Sequence, residues 1–345
     1  MRQRTVDAGQ RSRRREELAF TRAKAATRGF GSRVRPHLPV FGTSWRRARR
    51  VAFVALAVAG LIYAAASFVV AWVLTAGTHS TLEVPASSIG PVHDDVEFPS
   101  RVDRLELHGW LFHAGTPTGR SAILVHGWQG NREDVGSGAW EKARDMLRHG
   151  YDVLLFDLRS CGQSDGSRFT LGTDEPRDLL GAHDFMTSRG YRPQDMVILG
   201  VSMGAATVVE AAPQMPDVAA LVVDSAFSDL RPLIETQLPE RSHLPGLFNA
   251  GIVTVARAVF GVDPDLRPVD VVRSLPARAF LFVAASGDDF IPVADTRDLY
   301  GASANPDSRE MILPASGHTK EYLANPAAYM DAVYAFADQQ VADRA

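Results

Sequence analysis

The chain has 345 residues, the length of one domain with extensions or of two domains, and its single cysteine, Cys161, excludes an intramolecular disulfide. Its net charge of −3 conceals a division: the first fifty residues carry fifteen Lys and Arg against three acidic residues, a net +12, so the other 295 sum to −15. A basic tail alone is compatible with nucleic acid, but the stretch that follows it points to a lipid bilayer, and no nucleic-acid partner is expected.

From Val51 to Leu74 no charged residue occurs over 24 positions, where about 20 suffice to cross the hydrocarbon core of a membrane. A cleaved signal would have a short basic region and only about 7–15 apolar residues. Residues 51–76 are therefore read as a transmembrane helix. Arg46, Arg47, Arg49 and Arg50 precede it, whereas the first charge after it is Glu83. Basic flanks tend to stay cytoplasmic, so the N-terminus is expected inside a cell membrane and the bulk of the chain outside. Trp45 and Trp72 near the two ends fit an interfacial aromatic belt. Residues 1–50 are expected to form a disordered cytoplasmic tail. Residues 77–92, with Pro85, Ser87, Ser88, Gly90 and Pro91, read as a linker.

Residues 93–345 are expected to form one domain. Val96 to Phe98 and Leu105 to Phe112 have strand spacing and suit an antiparallel entry to a sheet. Short apolar runs then alternate with helical patterns: Ile123 to Val125, a helix over 140–149, Val153 to Phe156, a helix over 174–188, Met196 to Ile198, a helix to about Ala212, and Ala220 to Val223. That alternation predicts an α/β fold with a mostly parallel sheet and helices on both faces. Over about 227–272 it lapses into a proline-containing stretch with one helix-like piece, 248–260, which reads as a helical lid inserted over the sheet. The pattern resumes with a strand at 279–283, a helix at 293–303, a run at Met311 to Leu313 and a closing helix at 326–341.

The candidate chemistry centres on Gly200, Val201, Ser202, Met203, Gly204, behind the apolar run Met196 to Leu199. Two glycines in a strand-to-helix turn permit a strained backbone that presents the Ser202 hydroxyl and turns the Met203 N–H toward a reacting carbon. A serine hydroxyl needs a base to take its proton, and the base needs a carboxylate to fix its tautomer. In this fold the acid and the base follow the serine in that order. Of the histidines after Ser202, His243 falls in the lid and His318 in the loop after the last strand, which makes His318 the candidate base. The acid is drawn from Asp288, then Asp289, both just past a strand, with Asp224 at another strand end as a third option. An oxyanion also needs donors, for which the Met203 N–H and the Trp128 N–H, in the loop after the first parallel strand, are the candidates.

These stretches, with His126 to Trp128, Phe156 to Gly166, Asp224 to Phe227, Gly287 to Pro292 and the Gly317, His318 pair, make the chain from about Val92 onward resemble an α/β-hydrolase, and in particular the membrane-anchored branch with esterase-like and acyl-protein-thioesterase-like members. The common Arg-Gly-x-Gly of one turn is Arg159, Ser160, Cys161, Gly162 here, a change in loop packing. The resemblance implies a serine hydrolase acting on a small-molecule acyl ester, thioester or lipid, and favours Asp288 as the acid. A peptidase of the same fold and a catalytically silent, membrane-tethered binding module are the alternatives. No metal or organic cofactor is expected, since neither a His-Glu-x-x-His motif nor paired cysteines occur.

Overall fold

The computed structural model describes residues 42–342. The chain divides into two compact units, Met1–Val58 and Ala59–Ala345, with the boundary inside the first helix. That helix, α1, runs over Gly42–Leu74. It begins before the uncharged run because Trp45 to Arg50 contain nothing that breaks a helix, so the expected tail of residues 1–50 is helical from Gly42; its first 41 residues lie outside the described residues. Over Ser44–Leu74 the helix is long and apolar enough to cross a membrane.

The remaining elements follow in chain order: α2 (Ala86–Ile89), β1 (His93–Pro99), β2 (Glu106–Phe112), β3 (Arg120–Val125), α3 (Ala139–Arg148), β4 (Tyr151–Phe156), α4 (Pro176–Ser188), β5 (Met196–Val201), α5 (Met203–Ala211), β6 (Ala220–Asp224), α6 (Leu230–Ser242), α7 (Asn249–Phe260), α8 (Pro268–Ser274), β7 (Leu281–Gly287), α9 (Val293–Ala302), β8 (Arg309–Ser316), α10 (Glu321–Ala324) and α11 (Pro326–Ala342). One eight-stranded sheet has the order β1-β2-β4-β3-β5-β6-β7-β8. The β1–β2 and β2–β4 pairs are antiparallel, and from β4 to β8 every neighbouring pair is parallel.

The apolar runs are continuous because both faces of the parallel strands are covered. Alternate residues serve opposite faces: Ile123 and Val125 join one core with Leu179 and Val208 of α4 and α5, while Ala122 and Leu124 join another with Met146 of α3 and Tyr329 and Val333 of α11. β5 pairs on both sides, with Val125 opposite Gly200 and Gly200 opposite Val223. The end of β5 is thereby fixed in the middle of the sheet.

Two segments are more ordered than their composition implies. The expected linker packs onto the domain: Leu82, Val84 and Ala86 contact the α3/α11-side core, and the Glu83 and Val84 N–H groups donate to the Glu133 carboxylate at 2.9 and 2.7 Å. The lid holds two helices beyond the expected piece, because prolines stand where a helix tolerates them. Pro232 is in the first turn of α6 and Pro268 opens α8, positions whose N–H groups have no intrahelical partner. Pro239 lies inside α6. The Glu235 carbonyl that its missing N–H would have met accepts instead from the Asn249 side chain at 3.2 Å.

On α5, Glu210 is mostly buried, and its Oε1 has no hydrogen-bond partner. Burial first, and the charge of Asp263 second, push its carboxyl from the ordinary 4.5 up to about 7. Between those values the folded chain holds a proton that the unfolded chain releases, so stability should fall as pH rises through that window and level off above it. Glu210→Gln is expected to flatten this dependence and to raise stability at pH 8 by about 1–3 kcal/mol. Urea melts at pH 5 and pH 8 check it, and an unchanged pH slope in the variant would contradict the assignment.

Candidate active site

The site begins where β5 turns into α5. Ser202 sits at φ 55° and ψ −121°, a backbone conformation that costs a non-glycine residue about 1–3 kcal/mol. It is held there by its neighbours. The Ser202 N–H donates to the Asp224 carbonyl at 2.8 Å. A Cβ on Gly200 would stand 2.4 Å from the Gly204 carbonyl oxygen, and one on Gly204 would stand 2.4 Å from the carbonyl oxygens of both Val125 and His126. The turn therefore closes only with glycine at both positions. Ser202 is 8% exposed, so its hydroxyl reaches solvent only through the openings beside it.

The Ser202 hydroxyl donates to His318 Nε2 at 2.7 Å, and His318 Nδ1–H donates to Asp288 Oδ2 at 2.7 Å. Asp288 is fixed by its own loop: its Oδ1 accepts from the Phe290 and Ile291 N–H groups, each at 2.9 Å. That turn defines which of two adjacent aspartates points inward. Asp288 has no exposed side chain, whereas Asp289 lines an open cleft and makes no ion pair with His318 among the described residues. The His318 ring is further packed edge-on against Phe290 at 4.9 Å.

Asp224, the third option for the acid, does not reach His318 either. Its side chain points beneath the sheet, where it accepts from the Tyr329 hydroxyl at 2.7 Å and lies 3.7 Å from Lys142 Nζ. Burial first, then the neighbouring Glu321, hold its carboxyl well above the usual range.

Met203 is the first residue of α5, so its N–H has no intrahelical acceptor. Trp128 follows β3 and lines the same cavity as Ser202 and Met203. Its loop is pinned from behind by His126, 3% exposed, whose Nε2 accepts from the Leu158 N–H at 3.0 Å while Nδ1–H donates to the Gly127 carbonyl at 2.8 Å.

Ser202 lies between two spaces of opposite character. One is an apolar cavity of about 110 Å³, walled by lid residues such as Ile234, Leu238 and Ile252 and by Ala71, Leu74 and Thr75 at the end of α1. The other is a polar cleft of about 500 Å³, bordered by Gln237, Glu240, Arg241, Asp289 and His318. The Arg241 guanidinium bridges them over the Trp128 and Phe290 rings, 4.9 and 4.6 Å from their centroids. The lid contribution agrees with the insertion expected over 227–272, whereas the α1 contribution is invisible to sequence reasoning, since no spacing brings residue 71 beside residue 202. The described carboxylates and imidazoles that converge as metal ligands would, Glu97, Glu106 and His108, lie on the antiparallel β1–β2 edge of the sheet. Chemically, the arrangement suits acyl transfer: a hydroxyl aligned on an imidazole, an imidazole aligned on a carboxylate, and amides beside the hydroxyl.

A mostly parallel sheet covered by helices on both faces, with a strained strand-to-helix turn that presents Ser202, is the architecture of the α/β-hydrolase class. The sequence model of the alpha/beta hydrolase family matches residues 122–333, and the chain belongs to that family. Among curated proteins, protein YfhR of Escherichia coli K12 is 22% identical over 232 residues, 65% of this chain and 73% of its own. The human phosphatidylserine lipase ABHD16A is 34% identical over 95 residues, 27% of this chain and 17% of its own. Among solved structures, the Pyrococcus furiosus esterase Pf2001 superposes with a TM-score of 0.64 at 18% identity, covering 77% of this chain and 99% of its own. Est1E of Butyrivibrio proteoclasticus, with ferulic acid bound, gives 0.57 at 20% identity over 72% and 99%.

A glycine inside a helix usually gains about 0.5–1 kcal/mol on replacement by alanine. At Gly301 of α9, where an added Cβ meets nothing within 4 Å, Gly301→Ala should follow that rule. At Gly204 the sign should reverse, with Gly204→Ala losing about 1–3 kcal/mol to overpacking against the β3 carbonyls. Paired urea melts of the full chain in detergent test this, and a Gly204→Ala protein as stable as the parent would contradict the close approach.

Proposed function

We propose that the chain is a membrane-anchored serine hydrolase that cleaves carboxylic esters or thioesters through an acyl-Ser202 intermediate. The observation that carries this reading is the unbroken series from the Ser202 hydroxyl through His318 to Asp288, both links at 2.7 Å, with an apolar cavity on one side of the hydroxyl and a polar cleft on the other. The uncharged helix and the basic residues before it support a single span with a cytoplasmic N-terminus and the hydrolase domain outside.

In this mechanism His318 Nε2 takes the Ser202 proton as Oγ forms a bond to the substrate carbonyl carbon, and the carbonyl π pair moves onto oxygen. The Met203 and Trp128 N–H groups donate to that oxyanion, each worth roughly 3–4 kcal/mol on the transition state. As the carbonyl re-forms, the bond to the leaving oxygen or sulfur breaks, and His318 gives its proton to the departing alcohol or thiol. A water molecule, deprotonated by His318, then attacks the acyl-Ser202 carbon and releases the carboxylic acid, returning the proton to Ser202. Asp288 keeps the proton of neutral His318 on Nδ1 and stabilises the imidazolium. The acyl group occupies the apolar cavity and the leaving group the polar cleft.

A fluorophosphonate probe should label the folded chain at Ser202 and should not label Ser202→Ala. Absence of labelling in the parent would sink the enzyme reading in favour of a silent binding module. With a panel of short acyl esters, acyl thioesters and N-terminal peptide amides, turnover is expected for esters or thioesters, and turnover of amides alone would favour a peptidase. Asp288→Asn should lower kcat by about 10²–10⁴, while Asp289→Asn, which leaves the His318 contact intact, should change it less than tenfold. Equal losses in the two variants would remove Asp288 from the proposed role.

A further inference from the structure

The lid and the end of α1 are built as one unit. The Tyr63 hydroxyl accepts from the Gly251 N–H at 3.0 Å and donates to the Leu247 carbonyl at 3.1 Å, and its ring stacks on Phe248 at 5.0 Å. Higher on the helix, Ala71 forms a small apolar cluster with Leu238 of α6 and Ile252 of α7. The crossing is close. A Cβ on Gly251 would lie 2.4 Å from Ser67 Oγ, and Ser67 and Ala71, one turn apart, present the small side chains through which helices approach in lipid. The end of α1 is in turn fastened to the core of the domain. Arg168 donates to the Trp72 carbonyl at 2.6 Å, with its guanidinium 3.5 Å from the Trp72 ring centroid, and the Phe169 N–H donates to the Thr75 carbonyl at 2.8 Å.

Length then decides where the lid must be. Contacts with the lid begin at Tyr63, and the uncharged run begins at Val51. The twelve residues from Val51 to Ile62 cover about 18 Å of helix against a hydrocarbon core of about 30 Å. A span anchored by its arginines on one side therefore needs the turns that carry the lid to complete the crossing. Any lid held against Tyr63 to Ala71 sits in the same layer of lipid. Its surface agrees: the tip between α6 and α7 carries Leu244, Pro245, Leu247 and Phe248, with Leu247 65% exposed, and Gly246–Phe260 is an apolar helical stretch.

We propose that the α6–α7 lid dips into the outer leaflet beside α1, and that the apolar cavity, walled by the last turns of α1, receives the acyl chain of a bilayer-resident lipid ester laterally from that leaflet. This rests on the ester-hydrolase and single-span readings above and adds the substrate class and the route of entry. Because Ala71, Leu74 and Thr75 wall both the cavity and the end of the span, an acyl chain there is continuous with the hydrocarbon, while the lipid headgroup meets the polar cleft at Arg241.

The test uses the full chain in phosphatidylcholine–phosphatidylglycerol nanodiscs. A bimane label on Leu247→Cys, Cys161 being buried, is read against a label on Ala304→Cys, at an exposed site on the domain. Acyl-chain doxyl quenchers should quench position 247 at least threefold more than position 304, and aqueous iodide should do the reverse. Iodide quenching at 247 equal to that at 304 would overturn the proposal. Leu247→Asp should lower hydrolysis of a diacyl lipid ester in the disc at least tenfold, with a water-soluble short ester kept within twofold. Equal effects on the two substrates would also overturn it. Quenching needs no turnover and can be read in Ser202→Ala, so lipid insertion in a parent protein that hydrolyses no ester would count against the ester-hydrolase reading alone.

Discussion

The arrangement around Ser202 depends on one close approach, that of α5 to the carbonyl ends of β3 and β5. Helix and strand can come within this distance only because Gly200 and Gly204 lack a Cβ, and the approach forces Ser202 to φ 55°. Three consequences share that cause. The hydroxyl is lifted off the end of the sheet, the Met203 N–H is left unpaired at the start of a helix, and the positive end of the helix dipole lies beside the place where an oxyanion would form. The strain of about 1–3 kcal/mol at Ser202 is borne by β5, which is hydrogen-bonded on both edges and buried on both faces.

Around this turn, the loops that complete the site are each held by a buried polar contact rather than by apolar packing. Asp157, fully buried, accepts from the Arg132 backbone N–H at 2.6 Å and from its guanidinium at 2.6 and 3.1 Å, and also from the Gln163 N–H at 2.9 Å. His126 ties the Trp128 loop to Leu158. Asp288 accepts from the Phe290 and Ile291 N–H groups. Such groups are costly to bury alone and specific once paired, so they fix geometry in loops that an apolar core would leave free to slide. The polar cluster under the sheet, with Asp224, Lys142 and Tyr329, does the same for the strand end behind Ser202, since the Asp224 carbonyl is the acceptor of the Ser202 N–H.

What the sequence made legible is the part governed by local rules. Apolar runs of three to five residues between amphipathic stretches marked the strands from β3 onward, because burial on both faces leaves no alternation to confuse with a helix. The Ser202 turn was legible from its two glycines, and the loops carrying Asp288 and His318 from their positions after strands. The choice between Asp288 and Asp289 lay in an Asx turn, whose chemistry is local but whose direction depends on where the two following amides point. The rest depended on contacts between residues far apart in the chain. Prolines at tolerated positions masked α6 and α8, and Leu82 and Val84 looked like linker because the core they join is assembled from residues spread over the whole domain, from Trp110 to Val333. The cavity wall at Ala71 and Leu74 was hidden for the same reason, since residues that read only as membrane span also border Ser202.

That double use of α1 bears on how a hydrolase of this size obtains an apolar cavity at all. In the domain proper, the apolar surface of the sheet is consumed by its two cores, and the space above Ser202 is roofed by α6 and α7, which have few fully buried residues of their own. Leu238 and Ile252 are buried in one cluster with Ala71, so the roof is completed by a helix that lies outside the residues matched by the family model. The cavity is thus a property of the domain together with the end of α1. An apolar cavity whose wall is also an apolar helix long enough to span a bilayer would, on the proposed reading, couple anchoring to recognition: removing the helix would take away part of the cavity wall as well as the proposed attachment.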